Sequence, residues 1–370
     1  MRNNWEIRPF EQCIKKVKYT AKIPRQDFKE SGRYPIISQE ESFINGFWDD
    51  PGDVFHVTEP VVIFGDHTRH LKYIDFDFVL GADGVKILSP VKDINAKYFY
   101  YYLQWLNIPS LGYSRHFKLL KENHIKVAPA KTQLKITTEL DILSRVIEKK
   151  EHQLREFDSF SRSLFYEKFG DPILNDKNWP ICQLGDLCDD VRYGTSRPSS
   201  SSGKYMYLRM NNLTYEGDID LSSVKYIDVP DNEIDKCVVT RGDILFNRTN
   251  SRDLIGKTAL FSFEEDMVIA GYIIRVRVNE TRVSPRYLVS LMNMPSMKSL
   301  LRSMAKGAVN QSNINSTELQ SILIPCPPLE YQNDFSAYYD QIMKQKKAIS
   351  SSLEELRTLL NCRMDYYFKS

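Results

Sequence analysis

Residues 125–133 read IKVAPAKTQ, and residues 324–332 read IPCPPLEYQ. Each stretch leads from a β-type segment through proline into a long segment with the apolar spacing of a helix. A second pair of similar stretches lies upstream, around Trp5 and around Trp179. Because the elements recur in the same order, the sequence predicts a structure built twice, each time as a globular part followed by a long helix. The distance between matching stretches grows along the chain, so the second globular part is the longer.

The two long segments carry apolar residues at alternating intervals of four and three, which is the pattern of a coiled-coil seam. Four polar residues interrupt it, Lys150 and Ser161 in the first segment and Lys346 and Arg363 in the second. The first helix is predicted to end at residues 170–172, where a C-cap glycine is followed by proline. The predicted seam residues are Ile136, Leu140, Leu143, Ile147, Leu154, Phe157, Leu164, Phe335, Tyr339, Ile342, Ile349, Leu353, Leu356 and Leu360.

A helix with such a seam must bury it, and each long helix is the obvious partner of the other. The first helix carries the chain to the second globular part, and the second runs back, so we expect an antiparallel intramolecular coiled coil. The alternative is that each helix packs only on its own globular part. The predicted divisions are a first domain (1–128), a central helix (129–170), a second domain (171–327) and a C-terminal helix (328–370).

The globular parts mix short strands with helices. Residues 61–64, 243–246 and 272–276 are rich in β-branched and aromatic side chains and are bounded by turn residues. Residues 97–106 and 285–292 are predicted helices in corresponding places of the two parts. The predicted fold class is therefore α+β, with two mixed domains separated by two long antiparallel helices.

Composition narrows the possible classes of protein. The chain has 370 residues and a formal net charge of +2, and its six cysteines show no metal-binding or disulfide-type spacing. It lacks a long apolar run and an apolar signal segment near Met1. These features favour a cytoplasmic protein with reduced thiols.

Basic residues cluster in the globular parts, whereas each long helix has as many acidic as basic residues. Residues 192–215 and 297–316 contain lysine and arginine but no acidic residue, and residues 66–72 and 112–126 are also basic. Lysine and arginine neutralise phosphates, and arginine, asparagine and glutamine can read base edges. Each cluster alone is equally compatible with a solvated surface, but four of them favour nucleic-acid binding.

The candidate DNA contacts come from these clusters and their flanks. The arginine, asparagine and glutamine side chains are predicted base readers, and Lys118 is a predicted phosphate contact. The candidates are Arg69, Tyr113, Arg115, His116 and Lys118 in the first part, and Arg192, Tyr193, Arg197, Arg209, Asn211, Asn247, Arg248 and Gln311 in the second.

The sequence offers no complete catalytic signature. Residues 256–258 read GKT, but position 251 is serine where a phosphate-binding loop needs glycine. Asp66, His67 and His70 lack a second cluster to complete a metal site. We therefore expect a chain that is not itself an enzyme and holds no metal or cofactor.

Several short motifs resemble one known family. Residues 63–69 (IFGDHTR), 81–86 (GADGVK) and 113–117 (YSRHF) precede residues 169–172 (FGDP) and 241–245 (RGDIL). With the duplicated layout and residues 324–332, their order resembles the DNA-specificity subunit of Type I restriction-modification systems over essentially the whole chain.

The resemblance implies two target-recognition domains, each reading one half of a bipartite, asymmetric site in double-stranded DNA. It further implies that the helices space these domains and dock two DNA adenine-methyltransferase subunits, which ATP-dependent restriction subunits can join. S-adenosylmethionine, ATP and Mg would be held by those partners. The alternative is a non-catalytic coiled-coil scaffold or interaction protein without DNA specificity.

Overall fold

The computed structural model describes residues 5–112, 114–251, 254–308 and 311–369. It divides into two compact units, unit 1 (Met1–Glu151 with Ser351–Ser370) and unit 2 (His152–Ser350). Within the described ranges, no helix has the length and apolar character needed to cross a membrane.

In unit 1, the described residues form a two-stranded sheet, a four-stranded sheet and a five-stranded sheet, with helices beside them. The elements are β1 (Glu6–Pro9), β2 (Ile14–Lys15), β3 (Lys22–Ile23), β4 (Tyr34–Ile37), β5 (Gly46–Trp48), β6 (Val54–Phe55), β7 (Val61–Gly65), β8 (Leu71–Ile74), β9 (Phe78–Gly81), β10 (Val85–Pro90), α1 (Ala96–Leu106), α2 (Phe117–Lys121), β11 (His124–Val127) and the first half of α3 (Ala130–Phe169).

Unit 2 repeats this plan with additional strands. Its elements are the second half of α3, β12 (Ile181–Gln183), β13 (Cys188–Tyr193), β14 (Tyr205–Leu208), β15 (Lys225–Ile227), α4 (Asp231–Cys237), β16 (Val238–Val239), β17 (Ile244–Asn247), β18 (Thr249–Asn250), β19 (Thr258–Leu260), β20 (Met267–Ile269), β21 (Ile273–Val278), α5 (Pro285–Met292), α6 (Pro295–Met304), β22 (Lys306–Ala308), β23 (Gln311–Asn313), α7 (Ser316–Gln320), β24 (Leu323–Pro325) and the first half of α8 (Leu329–Phe368). The second half of α8 belongs to unit 1.

The sheets of the two units correspond in strand order. In unit 1, β1 pairs with β11 and a second sheet has the order β2-β10-β7-β8; in unit 2, β12 pairs with β24 and the matching sheet is β13-β21-β17-β19. The added sheet β18-β23-β22 lies in unit 2, whose globular part was predicted to be the longer. The predicted α+β fold class is confirmed.

A buried glutamine fixes the start of each long helix to its own globular part. In unit 1, the Gln133 Oε1 accepts the Asn95 N–H (2.7 Å), and its Nε2 donates to the Ala128 carbonyl (2.7 Å). In unit 2, the Gln332 Oε1 accepts the Ser284 N–H (2.9 Å), and its Nε2 donates to the Pro327 carbonyl (2.7 Å). Each side-chain amide therefore forms one hydrogen bond with the backbone just before its long helix and one with the backbone at the N-terminal cap of a shorter helix.

A buried tyrosine adds a further hydrogen bond near the start of each long helix. The Tyr98 hydroxyl donates to the Lys126 carbonyl (2.5 Å), and the Tyr287 hydroxyl donates to the Pro325 carbonyl (2.8 Å). Burial raises the pKa of both phenols, so they are protonated donors at neutral pH. The same pair of side chains thus ties helix to strand in both repeats.

We expect Gln332→Ala to lower the free energy of unfolding of the full chain by about 2–3 kcal/mol. The reason is that the substitution leaves a buried N–H and a buried carbonyl without partners. Chemical denaturation followed by circular dichroism measures the change. The matched control is Gln345→Ala on the same helix, where the side chain is exposed and a change within about 0.5 kcal/mol is expected. Equal effects of both substitutions would contradict the role given to Gln332.

The long helices run antiparallel where they meet in unit 1. The Glu139 carboxylate on α3 accepts hydrogen bonds from Arg363 and Tyr367 on α8, and the Arg363 guanidinium holds the pKa of that carboxyl below its usual range. Further along α3, Glu151 pairs with Arg357 (2.6 Å). Because partners on α8 move backward as residues on α3 move forward, the helices point in opposite directions.

In unit 2 the same direction holds. The Lys346 Nζ donates to Asp158 (2.6 Å), so one polar interruption of the predicted seam is a cross-helix ion pair. Further along α3, the Phe165 and Phe169 rings contact the Phe335 ring on α8 at centroid distances of 5.7 and 5.4 Å.

The structure places all the predicted seam residues on buried or half-buried helix faces. Near the end of α3 the buried position is Phe165 rather than Leu164, which is half-buried. The shift arises because Phe165 and Phe169 also enter the core of unit 2, where both rings contact Tyr287. The helix then stops as predicted: Gly170 has φ +78°, the left-handed conformation of a C-cap glycine.

Candidate DNA interface

Unit 2 contains a groove of about 470 Å³ in which four predicted contacts meet. Its wall includes the loop after β13, the end of β14, the turn after β17 and the turn between β20 and β21. These are strand ends, where side chains are held by a sheet yet remain accessible. The predicted residues in the lining are Arg197, Arg209, Asn211 and Arg248.

Arg248 is held over an aromatic ring. Its guanidinium lies 4.8 Å from the centroid of the Tyr193 ring, and its Nη1 donates to the Gly271 carbonyl (3.4 Å). The Tyr193 hydroxyl donates to the Ser316 Oγ (2.9 Å) and accepts the Ser316 N–H (2.8 Å), which fixes the ring. Tyr193 therefore acts as a platform that orients Arg248.

The guanidinium groups of the groove retain donor capacity. Arg209 donates through Nη2 to the Ser223 carbonyl (2.7 Å), and among the described residues the Nε atoms of Arg209 and Arg248 are buried and have no hydrogen-bond partner. Arg197 forms two parallel hydrogen bonds with Glu233 (2.9 and 2.8 Å), which lower the pKa of that carboxyl. Arg197 is thus neutralised by its own chain, whereas Arg209 and Arg248 face no such acid in the groove lining.

Close backbone packing shapes the groove floor. A Cβ at Gly194 would lie 2.1 Å from the Ile269 carbonyl oxygen, so a glycine is required where this loop passes the sheet. The Tyr207 hydroxyl donates to the Thr195 carbonyl (3.0 Å) just beyond. These contacts hold the loop that carries Arg197 against strands β14 and β20.

In unit 1, two exposed cations flank a buried histidine. His116 is fully buried; its Nδ1 bonds the Asp66 carbonyl (3.0 Å), and its Nε2 accepts the Leu111 N–H (3.0 Å). The Asp66 carboxylate accepts the Phe117 N–H (2.8 Å). His116 therefore ties Leu111 and the start of α2 to Asp66, and Arg115 and Lys118 on either side of it are exposed.

Known proteins resemble both the sequence and the fold. Residues 176–356 match the family model described as Type I restriction modification DNA specificity domain. A type I restriction enzyme specificity subunit (MjaX) of Methanocaldococcus jannaschii is 30% identical over 48% of this chain and 44% of its own length, and one of Haemophilus influenzae is 21% identical over 98% and 94%. Residues 176–356 are thus similar to a Type I restriction modification DNA specificity domain, and the relative from Haemophilus influenzae extends the similarity over most of the chain.

Solved structures share the fold of this chain. The S subunit of a Type I restriction-modification system from M. genitalium superposes with a TM-score of 0.62 at 12% identity, over 100% of this chain and 97% of that chain. The chain spans less than half the length of the first curated relatives, 44% for the archaeal protein and 36% for the EcoKI specificity subunit of Escherichia coli. None of these relatives is named as a scaffold, so they give no support to the scaffold alternative.

Two of the predicted DNA contacts have fully buried side chains. His116 and Asn247 are both 0% exposed, so neither side chain can reach a base edge. His116 uses both ring nitrogens on backbone groups, and Asn247 lies within β17, whose neighbours cover it. The two buried side chains lie next to Arg115 and Arg248 in the chain.

Other predicted contacts lie away from the groove. Arg192 is exposed but donates to Asp190 (2.8 Å), in a surface depression of mixed charge that is separate from the groove. Arg69, with φ +64°, donates to the Ile108 carbonyl (2.8 Å) and lines a separate cavity of unit 1. Tyr113 and the side chain of Gln311 lie outside the described residues.

Sequence reasoning missed several groove residues. Thr195, Gly271 and Tyr272 line the groove beside the predicted arginines. The sequence did contain a signal for two of them. Residues 271–272 directly precede a strongly apolar strand and Arg209 directly follows another, so both lie at strand ends. Within the described residues, no group of histidine, cysteine and acidic side chains could hold a metal ion.

Proposed function

We propose that this chain reads DNA sequence for a Type I restriction-modification complex, with one half of a bipartite, asymmetric site read by each globular domain. The observation that carries this proposal is the groove of unit 2, whose described lining brings Arg209 and Arg248 together and contains no acidic residue. Arginine forks are well suited to guanine edges and to phosphates. The second half of the site would be read by Arg115 and its neighbours in unit 1.

The proposed domains keep the predicted boundaries, 1–128 and 171–327 for recognition and 129–170 and 328–370 for the helices. Helix starts at Ala130 and Leu329 support the division. In this proposal the helix pair sets the distance between the half-sites and docks two adenine-methyltransferase subunits. Restriction subunits driven by ATP would join the same complex.

The proposed chemistry resides on the partner subunits. S-adenosylmethionine, ATP and Mg would be bound there. This chain, acting in the cytoplasm, would select the DNA site.

Arg115→Ala is the direct test in unit 1. We expect relaxed specificity at one position of one half-site, with a loss of discrimination of about 1–3 kcal/mol, because an exposed arginine on a fixed loop is replaced by a methyl group. Mapping of methylated adenines across a genome measures the change. Lys118→Ala is the matched control: it should weaken binding equally on all sequences and lower the salt slope by about one. Relaxation at both half-sites would contradict separate reading by the two domains.

A further inference from the structure

The groove of unit 2 has a counterpart in unit 1, which the pairing of the strands locates. In unit 2, β14 runs parallel to β20, and Leu208 lies opposite Ile269. In unit 1, β4 runs parallel to β9, and Ile37 lies opposite Leu80. The residues that follow β4 therefore hold the place of the groove residues that follow β14. The corresponding pairs are Ser38 with Arg209, Gln39 with Met210 and Glu40 with Asn211.

A backbone hydrogen bond extends this match to the neighbouring turns. The Arg248 N–H donates to the Tyr272 carbonyl (3.0 Å) in unit 2, and the Asp66 N–H donates to the Gly84 carbonyl (2.7 Å) in unit 1. The segment that carries Arg115 is also bonded to the Asp66 carbonyl (2.8 Å), which brings a predicted DNA contact next to the matched residues. The surface of unit 1 that matches the groove therefore comprises residues 38–40, 66–67 and 82–84.

Gln39 is held in one orientation at this surface. The His67 N–H donates to the Gln39 Oε1 (3.1 Å), and the Thr68 hydroxyl donates to the Gln39 carbonyl. A Cβ at Gly84, which has φ +75°, would lie 2.2 Å from that Oε1, so the glycine makes room for the amide. Because the His67 N–H must meet an oxygen, the oxygen and nitrogen of the amide cannot exchange places. The side chain is half-buried, so part of it remains accessible to a ligand.

An ion pair recurs at the rim of both surfaces. The Ala82 N–H donates to the Ile23 carbonyl (2.6 Å), which places the following residues beside the matched surface. There Arg25 pairs with Glu40 (3.1 Å), just as Arg197 is paired with an acid of its own chain in unit 2. The arginine of the rim is therefore neutralised in both units, and contacts with bases must come from other side chains.

The same rim segment supplies positive charge for phosphates. Residues 14–25 contain five basic residues and no acidic residue, and Lys16, Lys18 and Lys22 among them are exposed. Asp83 is exposed on the surface itself, where a carboxylate suits base amino groups rather than phosphates. Exposed lysines beside polar side chains are the arrangement expected where phosphate contacts position a base-reading surface.

We propose that Gln39 helps to determine the specificity of unit 1 by reading an adenine, an inference that rests on the proposed function. In the major groove adenine presents one acceptor, N7, and one donor, the N6 amino group. The fixed amide offers the complementary pair, a donor on Nε2 and the second lone pair of Oε1. Guanine presents two acceptors there, and one of them would face the Gln39 Oε1 and repel it. The groove of unit 2, with Arg209 and Arg248, instead favours guanine, so the two half-sites differ in their preferred base.

The test compares variants of Gln39 in the complex with the methyltransferase subunits, with a randomised pool of DNA duplexes as the probe. Sequencing of the bound duplexes gives the preferred letters of both half-sites. Gln39→Ala should lower the preference for adenine at one position by about tenfold or more, because both hydrogen bonds to the base are lost. Gln39→Glu keeps an oxygen for the His67 N–H but loses the Nε2 donor, so it should replace the preference for adenine by one for cytosine.

The matched control is Gln12→Ala, which removes an exposed glutamine of unit 1 outside this surface and should leave both half-sites unchanged. Unchanged letters at the second half-site show that a Gln39 variant is folded. If both Gln39 variants keep the preference for adenine, or lose selection equally at both half-sites, the inference is wrong and Gln39 has a structural role only. If the unaltered complex selects no bipartite site, the proposed function itself fails, and the inference fails with it.

Discussion

Replacing both Arg209 and Arg248 with alanine should abolish discrimination at one half of the DNA site and leave the other half intact. Each bidentate arginine contact to a base contributes about 1–3 kcal/mol, so losing two should reduce methylation at the correct half-site by at least tenfold relative to its variants. The two side chains are suited to this role because both line the groove and each is oriented by a hydrogen bond to a backbone carbonyl.

Mapping of methylated adenines in cells that carry the double variant measures this effect. The matched control is Arg192→Ala, since Arg192 is also an exposed arginine of unit 2 but is bound by Asp190 outside the groove. Tyr193→Ala should reproduce part of the effect by removing the ring under Arg248. If Arg192→Ala were as harmful as the double variant, or if both half-sites changed together, the groove would not be the reading surface.

Lengthening both long helices by four residues should change the spacer of the recognised site without changing its letters. The insertions belong between Glu151 and Asp158 on α3 and between Lys346 and Arg357 on α8, so that the ion pairs described in each unit are kept. Four helical residues add about 6 Å, which is roughly two base pairs of B-form DNA. An insertion of four residues is also tolerated in coiled coils, where it locally unwinds the pair.

Methylation mapping again provides the measurement, now read as the number of unspecified bases between the half-sites. The control inserts the same four residues between Glu30 and Ser31, which are exposed and lie outside both helices and the groove, so no change of spacer is expected. An altered set of letters with an unchanged spacer would show that the helices do not set the separation.

The sequence predicted the long helices well because their signals are local. Proline before each helix, glycine after α3 and apolar residues at heptad spacing determine the limits, and the observed Ala130–Phe169 and Leu329–Phe368 agree with them. The helix Pro285–Met292 was predicted to the residue for similar reasons. Heptad spacing favoured Leu164 over Phe165 because it considers only the packing of α3 on another helix. Near its end, α3 also packs into the core of unit 2.

The candidate site was harder to predict because exposure depends on the fold. Arginine 192 and Arg197 looked equivalent to Arg209 and Arg248 in the sequence, yet each is bound by an acid of its own chain, Asp190 and Glu233 respectively. The Glu233 partner is 36 residues distant in sequence. His116 likewise was predicted to contact DNA, because it lies between two basic residues in the sequence. The fold instead buries its ring against the Asp66 carbonyl.

Pairing of β1 with β11 has a consequence for how such chains can diversify. Glu6 lies opposite Val127, so the first and last strands of the first domain are neighbours immediately before α3. Ile181 lies opposite Pro325 in the same manner before α8. A domain whose two ends are adjacent can be exchanged as a cassette without rerouting the helix, provided that the incoming domain keeps the tyrosine and that the helix keeps its glutamine. New combinations of half-sites could then arise by recombination at the two short stretches of sequence that bound a domain, with the helices unchanged.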